Sequence, residues 1–330
     1  MRKIIPAVLC ALLGAIPMFG QLSNKVGTAG FQFLRIGVGA RETALAESGT
    51  AIADGATAIF WNAAGLAAGD RTEVQVFYNP WFAGIKHTLL AARVPITTDN
   101  AFGVSVNVLA MDDMEETTID EPQGTGRRFT SGDLAVSLAY AHRISDRFTA
   151  GFAAKYVREY IWDMSADGWA FDVGMLYRYE NLYLGMVLKD FGANKTMSGG
   201  QLEIDQQVFE GWDTSPTVVS LVPKGIRLPV SFQFGAGYAV VENEYHRLRA
   251  TANLAYYTDI GETENVGAEY TFMQDYSVRL GYKFNRDLLG LSFGAGVRTM
   301  LGATVVGVDF AAVEMADFGY RTQFSMSMSF

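Results

Sequence analysis

The sequence predicts an all-β fold: a closed antiparallel outer-membrane β-barrel of about fourteen strands, with an N-terminal plug of short helices inside the lumen. Three observations carry that expectation. Beyond Thr72, apolar side chains recur at every second position over units of ~9–12 residues, the length a tilted strand needs to cross a bilayer. One parity is heavy with Phe, Tyr, Leu and Val while the other holds Gly, Ala, Ser and charge. The chain also runs to its end in the alternating stretch Phe324-Ser325-Met326-Ser327-Met328-Ser329-Phe330. Alternation by itself fits a soluble sandwich equally well. The strand length, the composition of the two faces and the aromatic terminus select the membrane barrel.

The first element is a leader. Met1-Arg2-Lys3 is basic, Ile4 to Ile16 is uninterruptedly apolar, and Pro17 to Gly20 ends the run before Gln21-Leu22-Ser23-Asn24. This is signal-peptide anatomy, too short for a spanning helix. It divides the chain into a signal peptide (1–20), a plug (21–71) and a transmembrane barrel (72–330). Cleavage near Gly20 would move the net charge from −9 to −11 by removing Arg2 and Lys3. An acidic balance of that size argues against a nucleic-acid partner. The single cysteine, Cys10, belongs to the leader, so the mature protein has no disulfide. Leu9 before it is too large for a lipoprotein cleavage site.

The plug is centred on Arg41 to Ala67, the long part of the mature chain without a two-residue rhythm. Its Ala and Gly residues let backbone approach backbone in a crowded lumen. Ile59-Phe60-Trp61 supplies an apolar anchor, and Asp54 and Asn62 can satisfy local amides or cap short helices. An amphipathic helix is the alternative, but Gly49, Gly55 and Gly65 would interrupt it.

Fourteen alternating runs follow, near 73–82, 84–95, 100–110, 131–143, 147–159, 167–179, 181–191, 228–241, 246–258, 263–273, 275–285, 289–299, 302–312 and 319–330. In Tyr276 to Lys283 the second face carries two cations, Arg279 and Lys283. Short connections alternate with longer ones at Met111 to Thr130, Tyr160 to Asp167, Gly192 to Arg227, Asp259 to Glu262 and Val313 to Phe318. Short periplasmic turns and longer external loops are the rule for such barrels, which places the N-terminus and the start of the plug on the periplasmic side. The acidic loop Met111 to Thr130 reads as solvated, with no cation-binding spacing. Gly192 to Arg227 is long enough to be functional. Its apolar Val218-Val219-Ser220-Leu221-Val222-Pro223 stretch is the candidate partner contact, through Val218, Val219, Leu221 and Val222. Phe324, Met326, Met328 and Phe330 resemble the C-terminal assembly signal of outer-membrane barrels.

Phe33-Leu34-Arg35-Ile36-Gly37-Val38-Gly39-Ala40-Arg41, followed by Asp54 to Leu66, resembles the N-terminal signature of the PorV/PorQ family, relatives of the FadL-type long-chain fatty-acid transporters. The family reads Asn-Pro-Ala-Gly-Leu where this chain has Asn62-Ala63-Ala64-Gly65-Leu66, and Glu47 stands where glycine is common. The resemblance makes Arg41, Asp54, Ile59, Phe60, Trp61, Asn62, Ala64 and Gly65 the plug motif. It implies an outer-membrane protein of type IX secretion that binds and shuttles secreted proteins by their C-terminal signal domains. Its partners would be outer-membrane lipid, translocon or attachment subunits and the secreted substrates. The alternative it leaves open is a FadL-like transporter of long-chain fatty acids or another hydrophobic small molecule.

The sequence presents no enzyme. His87, His142 and His246 are scattered without metal-ligand spacing, and His142 has no nucleophile on its strand face. Gly37-Val38-Gly39 lacks the third glycine and the βαβ setting of a phosphate turn. No catalytic residue, metal or cofactor is expected.

Overall fold

The computed structural model describes residues 26–207, 216–223, 225–284 and 290–330, with backbone alone at 201, 203–207 and 216–220. The signal-peptide expectation for 1–20 lies outside them. Fourteen strands form one closed barrel. The first seven are β1 Glu73–Pro80, β2 Lys86–Pro95, β3 Asn100–Ala110, β4 Ser131–Ser145, β5 Phe148–Ile161, β6 Met164–Tyr179 and β7 Leu182–Phe191. The others are β8 Ser231–Glu242, β9 His246–Tyr257, β10 Gly261–Phe272, β11 Tyr276–Lys283, β12 Leu291–Leu301, β13 Thr304–Glu314 and β14 Tyr320–Ser329. Each strand pairs antiparallel with its sequence neighbour, and β14 closes on β1 with Glu73 opposite Ser329 and Tyr78 opposite Phe324. Thr72 and Phe330 exchange two further backbone hydrogen bonds beyond the last pair.

Burial follows the sequence parity. Phe102, Leu138, Trp169, Leu280, Phe324, Met326 and Met328 are exposed on the outer face, whereas Ser105, Asn107, Ser137, Lys155, Asp172 and Glu269 are buried inside. An apolar face turned outward on a closed wall is stable only against hydrocarbon, which also leaves no unpaired backbone group at a strand edge. Several short turns need left-handed backbone, as at Met273 (φ 52°) and Gln274 (φ 64°) between β10 and β11. Two consecutive left-handed residues match the twist of the flanking strands.

Strand positions agree with the sequence reading to within three residues. The connections differ more. Between β5 and β6 only Trp162 and Asp163 remain outside the ladder, because Ile161 pairs with Met164 and Tyr160 with Ser165; the expected loop Tyr160 to Asp167 is mostly strand. The acidic loop carries a small hairpin, Met114–Glu115 with Arg128–Phe129, and an Arg127–Glu116 ion pair of 2.6 Å. The long loop carries another, Glu203–Gln207 with Pro216–Ser220.

The segment before β1 lies within the barrel, and its direction corrects the sequence reading. Ala29 forms a parallel bridge with Arg227 of the long loop, and the Gly30 N–H donates to the Arg227 carbonyl. The described chain therefore begins at the long-loop end, descends the lumen and leaves at the short-turn end to enter β1. Counting turns fixes where β1 starts and is blind to the path before it.

Candidate functional site

The plug is a coil of short helical turns, Gln32–Arg35, Ala40–Ala44, Ala58–Trp61 and Ala63–Ala68. Its contacts step backwards around the wall as the chain advances. Ala40 N–H donates to Ser325 Oγ on β14 (2.8 Å), Ala44 meets Gly294 on β12, and Leu45 and Ala46 meet Gly281 on β11. Ser48 then meets Gly267 on β10, Thr50 and Ala51 meet Gly235 and Gly185 on β8 and β7, and Asn62 meets Gly174 on β6. Ala64 lies on Gly151 of β5 and Leu66 on Gly103 of β3. At each of these wall glycines an added Cβ would stand closer than 3 Å to another atom, the plug's in nearly every case. Glycine on the inner parity thus marks the track that the plug occupies.

Within the motif, Asn62 is the central fastener. Its Oδ1 accepts from Ala64 N–H (3.2 Å), capping the Ala63–Ala68 turn, and its Nδ2 donates to the Thr50 carbonyl (3.2 Å) and the Met175 carbonyl of β6 (3.1 Å). A cap that also bonds the wall holds two plug segments and one strand together. Ala64 and Gly65 are buried; a side chain at Gly65 would strike the Ala53 carbonyl. Ile59, Phe60 and Trp61 are buried in the apolar cluster with Val38, Phe77, Leu89 and Ala139. Trp61 Nε1 donates to the Val38 carbonyl at 2.9 Å, and the Lys189 ammonium lies 3.8 Å above the Phe60 ring. Glu47 adopts φ 62° and ion-pairs with Lys283 at 2.7 Å. The left-handed backbone is what a glycine there would meet without strain, and the ion pair compensates for it.

Arg41 is the hub of a buried charge network toward the short-turn end. Its guanidinium grips Glu269 of β10 through two hydrogen bonds of 2.8 and 3.1 Å and pairs with Asp54. Arg279 of β11 bridges the same Glu269 (2.8 Å) to Asp309 of β13 (2.6 Å). Asp54 is therefore an ion-pair partner and caps no helix. Burial alone would raise its pKa, but the Arg41, Arg298 and Arg249 charges hold it below the usual carboxylate value. Glu42, next in the chain, is pushed up to about 7, chiefly by burial. One of its oxygens has no hydrogen-bond partner. Arg41, Glu42, Asp54 and Asp309 line a polar cavity of about 260 Å³ together with Arg71, Glu73, Arg93 and Arg298.

Toward the long-loop end the plug is held differently. Phe31, Phe33 and Leu34 pack with Ala135, Val157, Ala170 and Leu228, flanked by Met197 and Ile226. Phe31 N–H donates to Glu159 (2.7 Å), and Arg35 pairs with Asp259 (2.9 Å). Above this cluster the long loop exposes Leu221 (51 %) and Val222 (91 %), while Val218 and Val219 pair with Asp205 and Ile204 in the hairpin. Sequence reasoning missed the wall partners Glu269, Asp309, Lys155, Asp172 and Asp190. Lys155 binds Asp172 (2.7 Å) and Asp190 (2.6 Å) where β6 and β7 slip register. The available signal was charge on an inner parity, which Arg279 and Lys283 already displayed.

Comparison with known proteins adds two findings. The family model described as Type IX secretion system protein PorV matches residues 19–183, half of the chain. Among solved structures, the chain resembles the CymD monoaromatic hydrocarbon channel (TM-score 0.57, 13 % identity, 89 % of this chain and 97 % of that one). It resembles the toluene transporter TodX of P. putida (TM-score 0.57, 12 % identity, 89 % and 97 %) and a Pseudomonas aeruginosa FadL homologue (TM-score 0.50, 12 % identity, 89 % and 98 %). At such identities the likeness concerns the fold. No curated protein matches the sequence.

Proposed function

The chain belongs to the PorV family of type IX secretion proteins, an outer-membrane barrel, and from that premise we propose that it receives secreted proteins by their C-terminal signal domains at its cell-surface end. The observation that carries this reading is an exposed apolar turn, Leu221-Val222, on a long loop above a filled lumen. A wall that touches plug atoms on strand after strand favours docking on the loops over passage of a polypeptide through the barrel. Large exposed apolar side chains on a loop suit a partner surface.

The test is capture. Purified protein in detergent should retain a secreted protein carrying its C-terminal signal domain, and Leu221→Asp with Val222→Asp should lower that capture at least tenfold without changing barrel stability. Undiminished capture defeats the loop assignment, and no capture by the unaltered protein defeats the reading.

A second reading, passage of hydrophobic molecules, is favoured by the fold and by the apolar cluster around Phe31 and Phe33. It requires a retained apolar ligand in native mass spectra. The described side chains of that cluster pack against one another, which favours the first reading.

A further inference from the structure

At the periplasmic mouth, two arginines flank one tyrosine and a third lies on the same strand face as one of them. Arg178 of β6 and Arg249 of β9 place their guanidinium carbons 5.0 and 5.4 Å from the Tyr183 ring centroid. Arg247 projects from the same inner parity of β9, two residues nearer the mouth. Register brings these groups together: Arg178 is opposite Tyr183, Tyr183 is opposite Gly237 of β8, and Ala239 of β8 is opposite Arg249. Between Tyr183 and Arg249 the inner face of β8 therefore carries only Gly237 and Ala239, while Arg247 stands opposite Glu242 past a register shift.

Three polar atoms of this cluster have no hydrogen-bond partner. Tyr183 is more than nine-tenths buried, and its hydroxyl has no hydrogen-bond partner; nor do the Nε atoms of Arg247 and Arg249. Stacking on the ring engages the guanidinium faces and leaves the N–H edges available. Among the described residues, the carboxylate paired with any of the three is Glu242, partly exposed and 3.9 Å from Arg249. Glu269, opposite Arg249 on β10, is already taken by Arg41 and Arg279. The neighbouring Arg41 and Arg279 share three carboxylates, Asp54, Glu269 and Asp309, whereas Arg178, Arg247 and Arg249 have Glu242 beside them and only the distant charge of Asp54, which Arg41 already holds.

We propose that Tyr183, Arg178, Arg247 and Arg249 form an oxyanion-binding site that opens to the periplasm. Guanidinium forks fit carboxylate and phosphate oxygens, and a phenol adds one directed donor. The side chains face the lumen, so the barrel wall separates them from lipid headgroups. The oxyanion comes from the periplasm, as a free small anion or as the carboxylates of an acidic peptide segment. The site does not rest on the cargo reading, because it lies at the opposite end of the barrel from Leu221 and Val222.

The experiment titrates fluorescently labelled hexaglutamate into the full-length protein in detergent, with inorganic phosphate as competitor. The expected result is saturable binding that weakens at least tenfold in Arg247→Gln with Arg249→Gln and severalfold in Tyr183→Phe. Arg127→Gln, at the other end of the molecule, should leave it unchanged. Competition by phosphate assigns the site to small anions and its failure assigns it to acidic peptide, both within the proposal. Absence of binding, an unaltered affinity in the double variant, or an equal loss in Arg127→Gln overturns it. Should the double variant not fold, the exposed Arg178→Gln decides: a severalfold loss supports the site and an unchanged affinity refutes it.

Discussion

The two halves of the plug are fastened by different physics. Near the cell surface, Phe31, Phe33 and Leu34 fill an apolar cluster whose far side is long-loop sequence, Met197, Ile226 and Leu228. Near the periplasm, Arg41 is clamped between Asp54 and Glu269, and the wall closes the circuit through Arg279 and Asp309. Apolar contact is non-directional and tolerates a moving partner. A buried ion network holds only in one geometry, because any displacement leaves a charge unpaired in low dielectric. The periplasmic half is therefore held in one geometry, and the surface half, beside its single Arg35–Asp259 pair, mostly by non-directional contact.

The comparison is broken most severely by Glu269→Gln. Arg41 and Arg279 lose the carboxylate they share and stand close together in the buried wall, which is expected to cost about 3–5 kcal/mol. Heat-modifiability in detergent should register this as a large fall in the barrel's unfolding midpoint. Replacing Arg41 and Glu269 together by Met should recover part of the loss, since Arg279 keeps Asp309 and the Asp54 carboxylate that loses Arg41 is partly open to solvent. A double variant as unstable as the single one would show that the network does not act through charge pairing.

Phe33→Ala probes the other half. Deleting a buried Phe is expected to cost about 3 kcal/mol, the low end for such a change because Met197 and Ile226 can settle toward the gap. The midpoint should fall less than for Glu269→Gln, and the fall should be independent of salt and pH. A pH-dependent loss would mean that Glu159 and Asp259, which hold Phe31 and Arg35, carry the surface half instead.

How much of this was legible beforehand differs by level. Strand positions were, because a two-residue rhythm has to persist wherever one face meets hydrocarbon and the other a lumen. The Asn62 cap and the Ile59-Phe60-Trp61 anchor were also readable, being local. Asp54 was misread as a cap since its partner, Arg41, becomes a neighbour only once the plug coils. Glu269, Asp309 and Asp190 lie over a hundred residues from the plug, and a single inner-parity carboxylate does not announce its counterion. The direction of the plug was lost for a similar reason: the bond from Gly30 to Arg227 joins two irregular segments, neither with a periodicity to read.

The mildest test separates charge pairing from burial within the periplasmic half itself. Glu42 sits beside Arg41, 3.9 Å away, yet burial outweighs that attraction and raises its pKa from 4.5 to about 7. Between those values the folded protein keeps a proton that the unfolded chain releases, so stability falls as pH rises from about 4.5 to about 7 and levels off above. Below 4.5 both states hold the proton and this contribution is constant. Glu42→Gln keeps the shape without the titration, so its unfolding midpoint should stay flat across that window and exceed the native one by a few degrees at pH 8. If both proteins instead lose stability in parallel as pH rises, another group is responsible. A native midpoint that climbs through the window would mean that Arg41 holds Glu42 ionised, making it a further member of the ion network and the periplasmic anchor wholly electrostatic.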